Sequence, residues 1–74
     1  MILLHYAICV ISDDGYSWLG YFEGDRYVQY YKDFRNAHLF NDLQTASLLC
    51  DTLNSIIDTR VFKVCSVNII INED

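Results

Sequence analysis

The stretch YSWLGYFEGDRYVQYY, residues 16–31, predicts a β-hairpin and decides how the rest of the chain can fold. It holds seven of the 11 aromatic residues of the chain, which has one Trp, six Tyr and four Phe. Gly24-Asp25 at its middle is typical of a two-residue type II′ turn, because glycine accepts the positive φ of the first turn position. This loop predicts that Glu23 lies opposite Arg26 as an oppositely charged cross-strand pair.

The same register assigns the aromatic side chains to the two faces of the hairpin. It pairs Phe22 with Tyr27 and Trp18 with Tyr31, and side chains alternate between faces along each strand. One face is therefore expected to carry four aromatic residues around Gly20, namely Trp18, Phe22, Tyr27 and Tyr31. The other face is expected to carry Leu19, Tyr21, Val28 and Tyr30. Both faces are apolar, and a single helix can cover only one of them.

Two further strands are expected at the ends of the chain. Residues 2–12, ILLHYAICVIS, are apolar on both alternating phases, which is typical of a central strand that is buried on both faces. Ser12-Asp13-Asp14-Gly15 is expected to form the turn into the hairpin. Residues 60–71, RVFKVCSVNIII, are rich in β-branched residues but alternate imperfectly. Either a bulge near Cys65-Ser66 or burial on both faces would explain this pattern.

A helix is expected between these strands. Asn41 is the candidate N-cap, with Gln44 at capping-box spacing, and the helix is expected to end near Ile57. The segment Ala37-His38-Leu39-Phe40 before it fits either a loop with a helical turn or a brief strand. The predicted fold is therefore α+β, with the order βββαβ, one helix on an antiparallel sheet of about four strands, and the first and last strands adjacent at its centre. The apolar residues expected on one helix face are Leu43, Ala46, Leu49, Cys50, Leu53, Ile56 and Ile57.

Composition limits the classes of function. Seventy-four residues make one small domain, and 53% hydrophobic residues suggest that a second copy or another partner covers part of the apolar surface. Ten acidic against five basic residues give a net charge of −5, which argues against general binding of nucleic acid or of anionic membranes. The three cysteines have no C-x-x-C spacing, so we expect free thiols in a reducing compartment. With no signal-peptide pattern after Met1, the expected location is the cytoplasm.

Catalytic, metal and cofactor sites are not expected. His5, His38 and the cysteines are scattered along the chain, whereas metal sites need clustered ligands. The three glycines form neither a G-x-G-x-x-G motif nor a P-loop, and no nucleophile motif is present. We therefore predict a protein that is not an enzyme and needs no cofactor. His38, beside Phe40, is interpreted as a partly buried histidine with a backbone partner.

The aromatic hairpin is the predicted partner-binding surface. Tyr and Trp are enriched among the residues that dominate protein–protein interfaces, because they bury a large area with few rotatable bonds. Two alternatives remain: a self-assembling homodimer built on the aromatic face, and a module that stacks single-stranded nucleic acid on its aromatic residues. The predicted partner-binding residues are Trp18, Phe22, Glu23, Asp25, Tyr27 and Tyr31.

The layout of the chain also resembles that of short bacteriophage proteins. The segments involved are Tyr6-Ala7-Ile8, Asp14-Gly15-Tyr16 and Ala37-His38-Leu39-Phe40, followed by Ala46 on the helix and a closing β-branched strand. In size, acidity and lack of a catalytic motif the chain is similar to phage inhibitors of host defence, such as anti-CRISPR proteins. The resemblance implies a stoichiometric inhibitor that binds a host protein complex in the host cytoplasm. It assigns a role to no individual residue.

Overall fold

The computed structural model describes residues 1–23 and 27–72, without the side chains of residues 21–23 and 27. Four strands form one antiparallel sheet in the order β3-β2-β1-β4, and one helix packs on it. The predicted α+β fold with the order βββαβ is confirmed. The elements are β1 (Ile2–Ser12), β2 (Gly15–Glu23), β3 (Tyr27–Tyr31), a 3₁₀ turn (Phe34–Asn36), α1 (Leu43–Ile56) and β4 (Val61–Ile70).

β1 is the central strand, with the predicted bounds, and Ala7–Val10 at its middle are buried. It pairs with β4 in an unbroken register from Ile2–Ile70 to Ile11–Val61. Of the two alternatives for this strand, the bulge near Cys65-Ser66 does not form, and the imperfect alternation of β4 reflects apolar residues on both of its faces. The predicted central place of the last strand is wrong. β4 lies at the edge of the sheet, since β1 is its neighbour on one side and the strand order ends with it; β2 lies on the other side of β1.

The segment before the helix fills a fork between β1 and β2. The two strands pair only where Cys9–Ser12 meet Gly15–Trp18, around the turn at Gly15, whose φ is 106°. Beyond this point the N–H of His38 donates to the carbonyl of Leu19 at 2.9 Å, and Phe40 exchanges two backbone hydrogen bonds with Tyr6 at 2.7 and 2.8 Å. Of the two alternatives for this segment, the structure shows the brief strand pairing. Backbone groups that the fork would leave unpaired thus find partners.

Helix α1 begins one residue later than predicted. Its N-cap is Asp42, not Asn41, and the Asp42 carboxylate accepts from the backbone N–H groups of Gln44 and Thr45. A hydrogen bond from the Thr45 hydroxyl, together with these two backbone bonds, lowers the pKa of Asp42. Aspartate is favoured here because it satisfies free amide groups and interacts well with the positive end of the helix dipole.

The helix covers one face of the sheet, and this face carries the core. The predicted apolar helix face is correct at its middle and wrong at its ends, because the first and last helical residues, Leu43 and Ile56, are exposed. Val28 and Tyr30 of β3 pack against the buried cluster. The Leu19 face of the hairpin is thus the one that the helix covers. The buried cluster consists of Ile8, Val10, Leu19, Cys50, Leu53 and Phe62.

The register of the hairpin agrees with the prediction at its base and differs towards its tip. Trp18–Tyr31 and Leu19–Tyr30 pair as expected. At Gly20 the register shifts by one residue, so Phe22 pairs with Val28 and Glu23 with Tyr27. The predicted pairs Phe22–Tyr27 and Glu23–Arg26 are therefore wrong. The proposed loop Gly24-Asp25 lies outside the described residues.

The shift in register occurs at Gly20, which has no side chain, and the ring of Tyr31 lies over its backbone. A Cβ added at Gly20 would overlap the Cδ2 and Cε2 atoms of that ring and would lie 3.2 Å from the carbonyl oxygen of Asn36. Glycine within a strand often marks a bulge or a close approach of this kind. The aromatic ring over Gly20 shields a backbone that has no side chain of its own.

Replacing this glycine is expected to destabilise the fold. Gly20→Ala should lower the free energy of unfolding by about 1–3 kcal/mol, since the added methyl group must displace a packed ring. Urea denaturation followed by circular dichroism measures this loss. In a Tyr31→Ala background the same substitution should cost clearly less. An equal cost in both backgrounds would show that Tyr31 does not restrict Gly20.

The outer edge of β4 is closed at its start by a side chain of the helix. The Asn54 amide accepts from the Phe62 N–H at 2.9 Å and donates to the Phe62 carbonyl at 2.9 Å. The Cys50 thiol donates to the same carbonyl at 3.0 Å. The amide thus makes the two hydrogen bonds that a neighbouring strand would make.

Removing this amide is expected to loosen the contact between α1 and β4. Asn54→Ala should cost about 1–3 kcal/mol of unfolding free energy, because the Phe62 N–H loses its partner and the Phe62 carbonyl keeps only the Cys50 thiol. Thermal denaturation measures the change. Thr52→Ala, an exposed substitution in the same helix, serves as the control and should be nearly neutral. Equal stability of the two variants would contradict a structural role of the Asn54 amide.

Candidate interaction surface

The sheet face opposite the helix is built by the alternate residues of each strand. Because Leu19 points to the core, its neighbour Trp18 lies on the opposite face, together with its cross-strand partners Cys9 and Tyr31. By the same alternation Tyr16, which pairs with Ile11, also lies on this face. We call it the helix-free face.

The 3₁₀ turn brings one more aromatic residue to the helix-free face. The Phe34 ring meets the Trp18 ring edge-on, with 4.8 Å between centroids and 78° between planes. Aromatic rings favour this arrangement, because the positive edge of one ring meets the negative face of the other. Asp33 fixes the turn, since its carboxylate accepts from the backbone N–H of Arg35 and pairs with the Arg35 guanidinium at 2.8 Å. These bonds lower the pKa of Asp33.

Four residues thus form what we call the aromatic surface. Trp18 and Tyr31 are half-buried, whereas Tyr16 is 69% and Phe34 39% exposed. The Tyr31 hydroxyl donates to the side-chain oxygen of Gln29, two residues earlier on the same strand. The arrangement offers large rings that are held by packing and hydrogen bonds yet still contact solvent. The aromatic surface consists of Tyr16, Trp18, Tyr31 and Phe34.

The predicted binding residues are only partly within the described structure. Trp18 and Tyr31 come together as a cross-strand pair on one face, as predicted. Phe22, Glu23 and Tyr27 lie in strands, but their side chains are outside the description, as is the whole of Asp25. The backbone of Phe22 pairs with Val28 and that of Tyr27 with Glu23. That Phe22 and Tyr27 join Trp18 stays a prediction.

Sequence reasoning missed Tyr16 and Phe34 as members of this surface. Tyr16 was part of the aromatic stretch, and its place on the Trp18 face follows from alternation alone. Phe34 is the only aromatic residue among the polar residues 32–36. That isolation is a usable signal, because an aromatic residue in a polar loop often packs on a neighbouring element.

Two cations near the aromatic surface, Lys32 and Arg35, are engaged by the protein itself. The Lys32 ammonium group donates to the carbonyls of Asp14 and Tyr16, at 3.4 and 3.0 Å. Arg35 is held by Asp33. Arg60 lies over the Tyr30 ring, with 4.4 Å from its guanidinium carbon to the ring centroid. Tyr30 faces the core, so this third contact lies on the other side of the sheet. Lys63, which pairs with Cys9 in the cross-strand row of Trp18, is exposed, and no ion pair of its side chain occurs among the described residues.

Two of the three thiols, those of Cys9 and Cys65, are neighbours. All three cysteines are free, and among the described residues no three His, Cys, Asp or Glu side chains are grouped so as to hold a metal ion. Burial raises the pKa of the Cys9 thiol, and the neighbouring Cys65 adds to the rise. Burial also raises the pKa of Cys50. The prediction for His38 is half correct: its backbone N–H has a partner, but the residue is exposed.

Thiol reactivity is expected to follow these environments. Cys65 is half-buried, whereas Cys9 and Cys50 are buried and hold their protons more tightly than ordinary thiols. At neutral pH one thiol, Cys65, should react with an aromatic disulfide reagent well before the other two. Mass spectrometry of the labelled peptides identifies the order. Equal rates for all three thiols in the folded protein would contradict it, and denaturant should equalise the rates.

Among the described residues, no helix is long and apolar enough to cross a membrane.

A scan against protein-family models found no match. Searches of curated proteins and of solved structures found no significant match either.

Proposed function

We propose that the chain is a small, acidic, non-catalytic interaction protein that binds another protein through the aromatic surface. The observation that carries this proposal is the position of Trp18. The helix covers the opposite face of the sheet, so the Trp18–Phe34 pair and Tyr16 remain in contact with solvent.

The chemistry of the aromatic surface suits a protein partner. Tyr and Trp carry a large apolar area together with a polar group, and such residues dominate the binding energy when they enter a pocket of the partner. Trp18 and Tyr31 are already half-buried by packing within the chain, so binding would order few additional rotatable bonds in these two side chains. The close contact with the Gly20 backbone and the hydrogen bond to Gln29 hold the Tyr31 ring of this surface in place.

The charge around this surface indicates the kind of partner. Asp13 and Asp14 form the exposed turn next to Tyr16, and the whole chain carries a net charge of −5. A basic rim on the partner would complement it, since such complementarity speeds association and excludes wrong partners. Together with the resemblance to phage inhibitors of host defence, this supports a specific form of the proposal. The protein would act as an anti-CRISPR-like inhibitor in the host cytoplasm, occupying a basic site of a host protein complex.

Binding is tested with variants that truncate the aromatic surface. Tyr16→Ala and Trp18→Ala should each weaken binding to the partner, and the Trp18 variant should lose about 2 kcal/mol, as is typical of a central interface residue. A partner is first captured on the tagged protein from bacterial lysate. Its affinity for each purified variant is then measured by calorimetry.

Leu48→Ala is the matched control, because Leu48 is an exposed apolar residue on the helix. It should leave binding unchanged. Circular dichroism must show that all variants are folded. Retention of full affinity by both aromatic variants would contradict the proposed surface. Salt-sensitive binding of short oligonucleotides, lost in the same variants, would instead favour the nucleic-acid alternative.

The inhibitory form of the proposal has its own test. Expression of the protein in bacteria with active CRISPR immunity should raise the plating efficiency of a targeted phage. The Trp18→Ala variant should lose this effect, whereas Leu48→Ala should keep it. No change in plating across the major CRISPR types would contradict the anti-CRISPR form, while a measured partner affinity would still support the interaction surface.

A further inference from the structure

The outer edge of β4 is open over most of its length. In an antiparallel ladder, every second residue of a strand directs its backbone N–H and C=O groups to one neighbouring strand. The residues between them direct these groups to the opposite side. The backbone of Ile71 bonds to that of Met1, so the odd-numbered residues of β4 face β1. The even-numbered residues Val64, Ser66, Asn68 and Ile70 therefore direct their N–H and C=O groups outwards. Within residues 1–23 and 27–72 these groups have no hydrogen-bond partner.

This open edge has a sharp boundary at one end. Phe62 also faces outwards, but the Asn54 amide already occupies its N–H and C=O groups. A strand that adds to β4 can therefore bond from Val64 onwards and not before. The free window runs from Val64 to Ile70 and is centred on Val67.

The window lacks the features that usually protect edge strands. Natural edges carry charged residues, proline or bulges that discourage pairing. The stretch from Val64 to Asn72 contains neither a charged residue nor proline, and the β1–β4 register is unbroken. The opposite edge strand of the sheet, β3, is only five residues long. The window is thus a long, uncharged edge of an acidic protein.

The window is also complementary to itself. In an antiparallel pair of two β4 strands related by a two-fold axis at Val67, Ser66 of one copy lies opposite Asn68 of the other. Val64 then lies opposite Ile70, and Cys65 opposite Ile69. Polar residues meet polar residues, apolar residues meet apolar ones, and all four outward-facing residues of each copy are paired. A register centred on Ser66 would pair Ile70 with Phe62, whose backbone groups are occupied, and one centred on Asn68 would pair Val64 with Asn72, which lies beyond the end of β4. Only the register centred on Val67 pairs these four residues among themselves.

This register also covers exposed apolar area. Ile70 is 68% exposed, whereas Val64 packs against the core cluster. Placing Ile70 of one copy beside Val64 of the other extends each core across the junction. The two helices lie on the same side of the joined sheet but at opposite ends. Each is anchored near Phe62, five residues or about 17 Å along the strand from the axis, so they do not collide.

From these observations we propose that β4 is a homodimerisation edge, which joins two copies antiparallel about Val67 into one eight-stranded sheet. The window carries no charge, so a second copy of the chain can approach it without repulsion between acidic groups, although each copy has a net charge of −5. We therefore take a second copy as the partner of this edge. This interface is separate from the aromatic surface, so it stands or falls independently of the proposed function.

The oligomeric state of the full chain is the first test. Sedimentation velocity over a micromolar to near-millimolar concentration series should show a reversible monomer–dimer equilibrium. Ser66→Pro should shift it to monomer, since proline removes an outward N–H and its ring blocks the approaching strand. Circular dichroism monitors the fold, because the β1 ladder uses the odd-numbered residues and should persist. A strict monomer throughout the series for the unaltered chain would overturn the proposal.

A pair of charge variants tests the register and does not depend on the proline variant. Ser66 and Asn68 are exposed, so neither substitution should disturb folding. Ser66→Glu with Asn68→Glu places like charges opposite each other twice and should raise the dimer Kd at least about tenfold. Ser66→Lys with Asn68→Glu places opposite charges there and should restore the dimer. Equal dimerisation of the two double variants would overturn the register.

Cross-linking gives a third, geometric test. Val67 of the two copies would form a non-hydrogen-bonded pair with Cα atoms about 4.5 Å apart, which a disulfide can bridge. Val67→Cys should therefore yield a covalent dimer on mild oxidation. Val61→Cys, at an exposed position beyond the window, is the control and should not. Cross-linking of both variants at equal rates, or of neither, would contradict pairing about Val67.

Discussion

The packing of one helix against one face of the sheet is the constraint on which the rest of the structure depends. Leu53 and Cys50 of α1 lie in one cluster with Ile8, Val10 and Phe62 of the two longest strands. A 14-residue helix cannot also cover the other face. Every strand carries apolar residues on both faces, so the choice of face decides which aromatic residues enter the core and which contact solvent.

The glycine in the second strand resolves a conflict between the two strands of the hairpin. At the base of the hairpin, Trp18 pairs with Tyr31 and Leu19 pairs with Tyr30, and Leu19 reaches the core. Beyond Gly20 the pairing shifts by one residue, and the Tyr31 ring occupies the space that a side chain would have filled. The same contact thus sets the hairpin geometry and fixes one ring of the aromatic surface.

The fork and the edge illustrate how the protein satisfies backbone groups outside regular pairing. Phe40 acts as a short strand for Tyr6, and the Asn54 amide does the same for Phe62. Both devices are local and specific, because an unpaired buried amide is costly. Where they stop, at Val64 on the outer edge, the sheet remains able to add a strand. The aromatic surface leaves large rings in contact with solvent, and this edge leaves backbone N–H and C=O groups open to a further strand.

The sequence by itself determined the order of the elements, the bounds of β1 and the middle of the helix face, because these depend on periodicity and turn residues that act locally. It also placed Trp18 opposite Tyr31, by a register counted from the predicted turn, which agrees with the structure at the base of the hairpin and not beyond Gly20. Only the tertiary structure decided that Leu19 lies under the helix, that Phe34 joins Trp18 and that β4 is an edge. These outcomes depend on competition between equally apolar faces and on contacts between residues far apart in the chain, which no local pattern records. The bulge at Gly20 belongs with them, because the turn signal predicted one register and the packing of Tyr31 accompanies another.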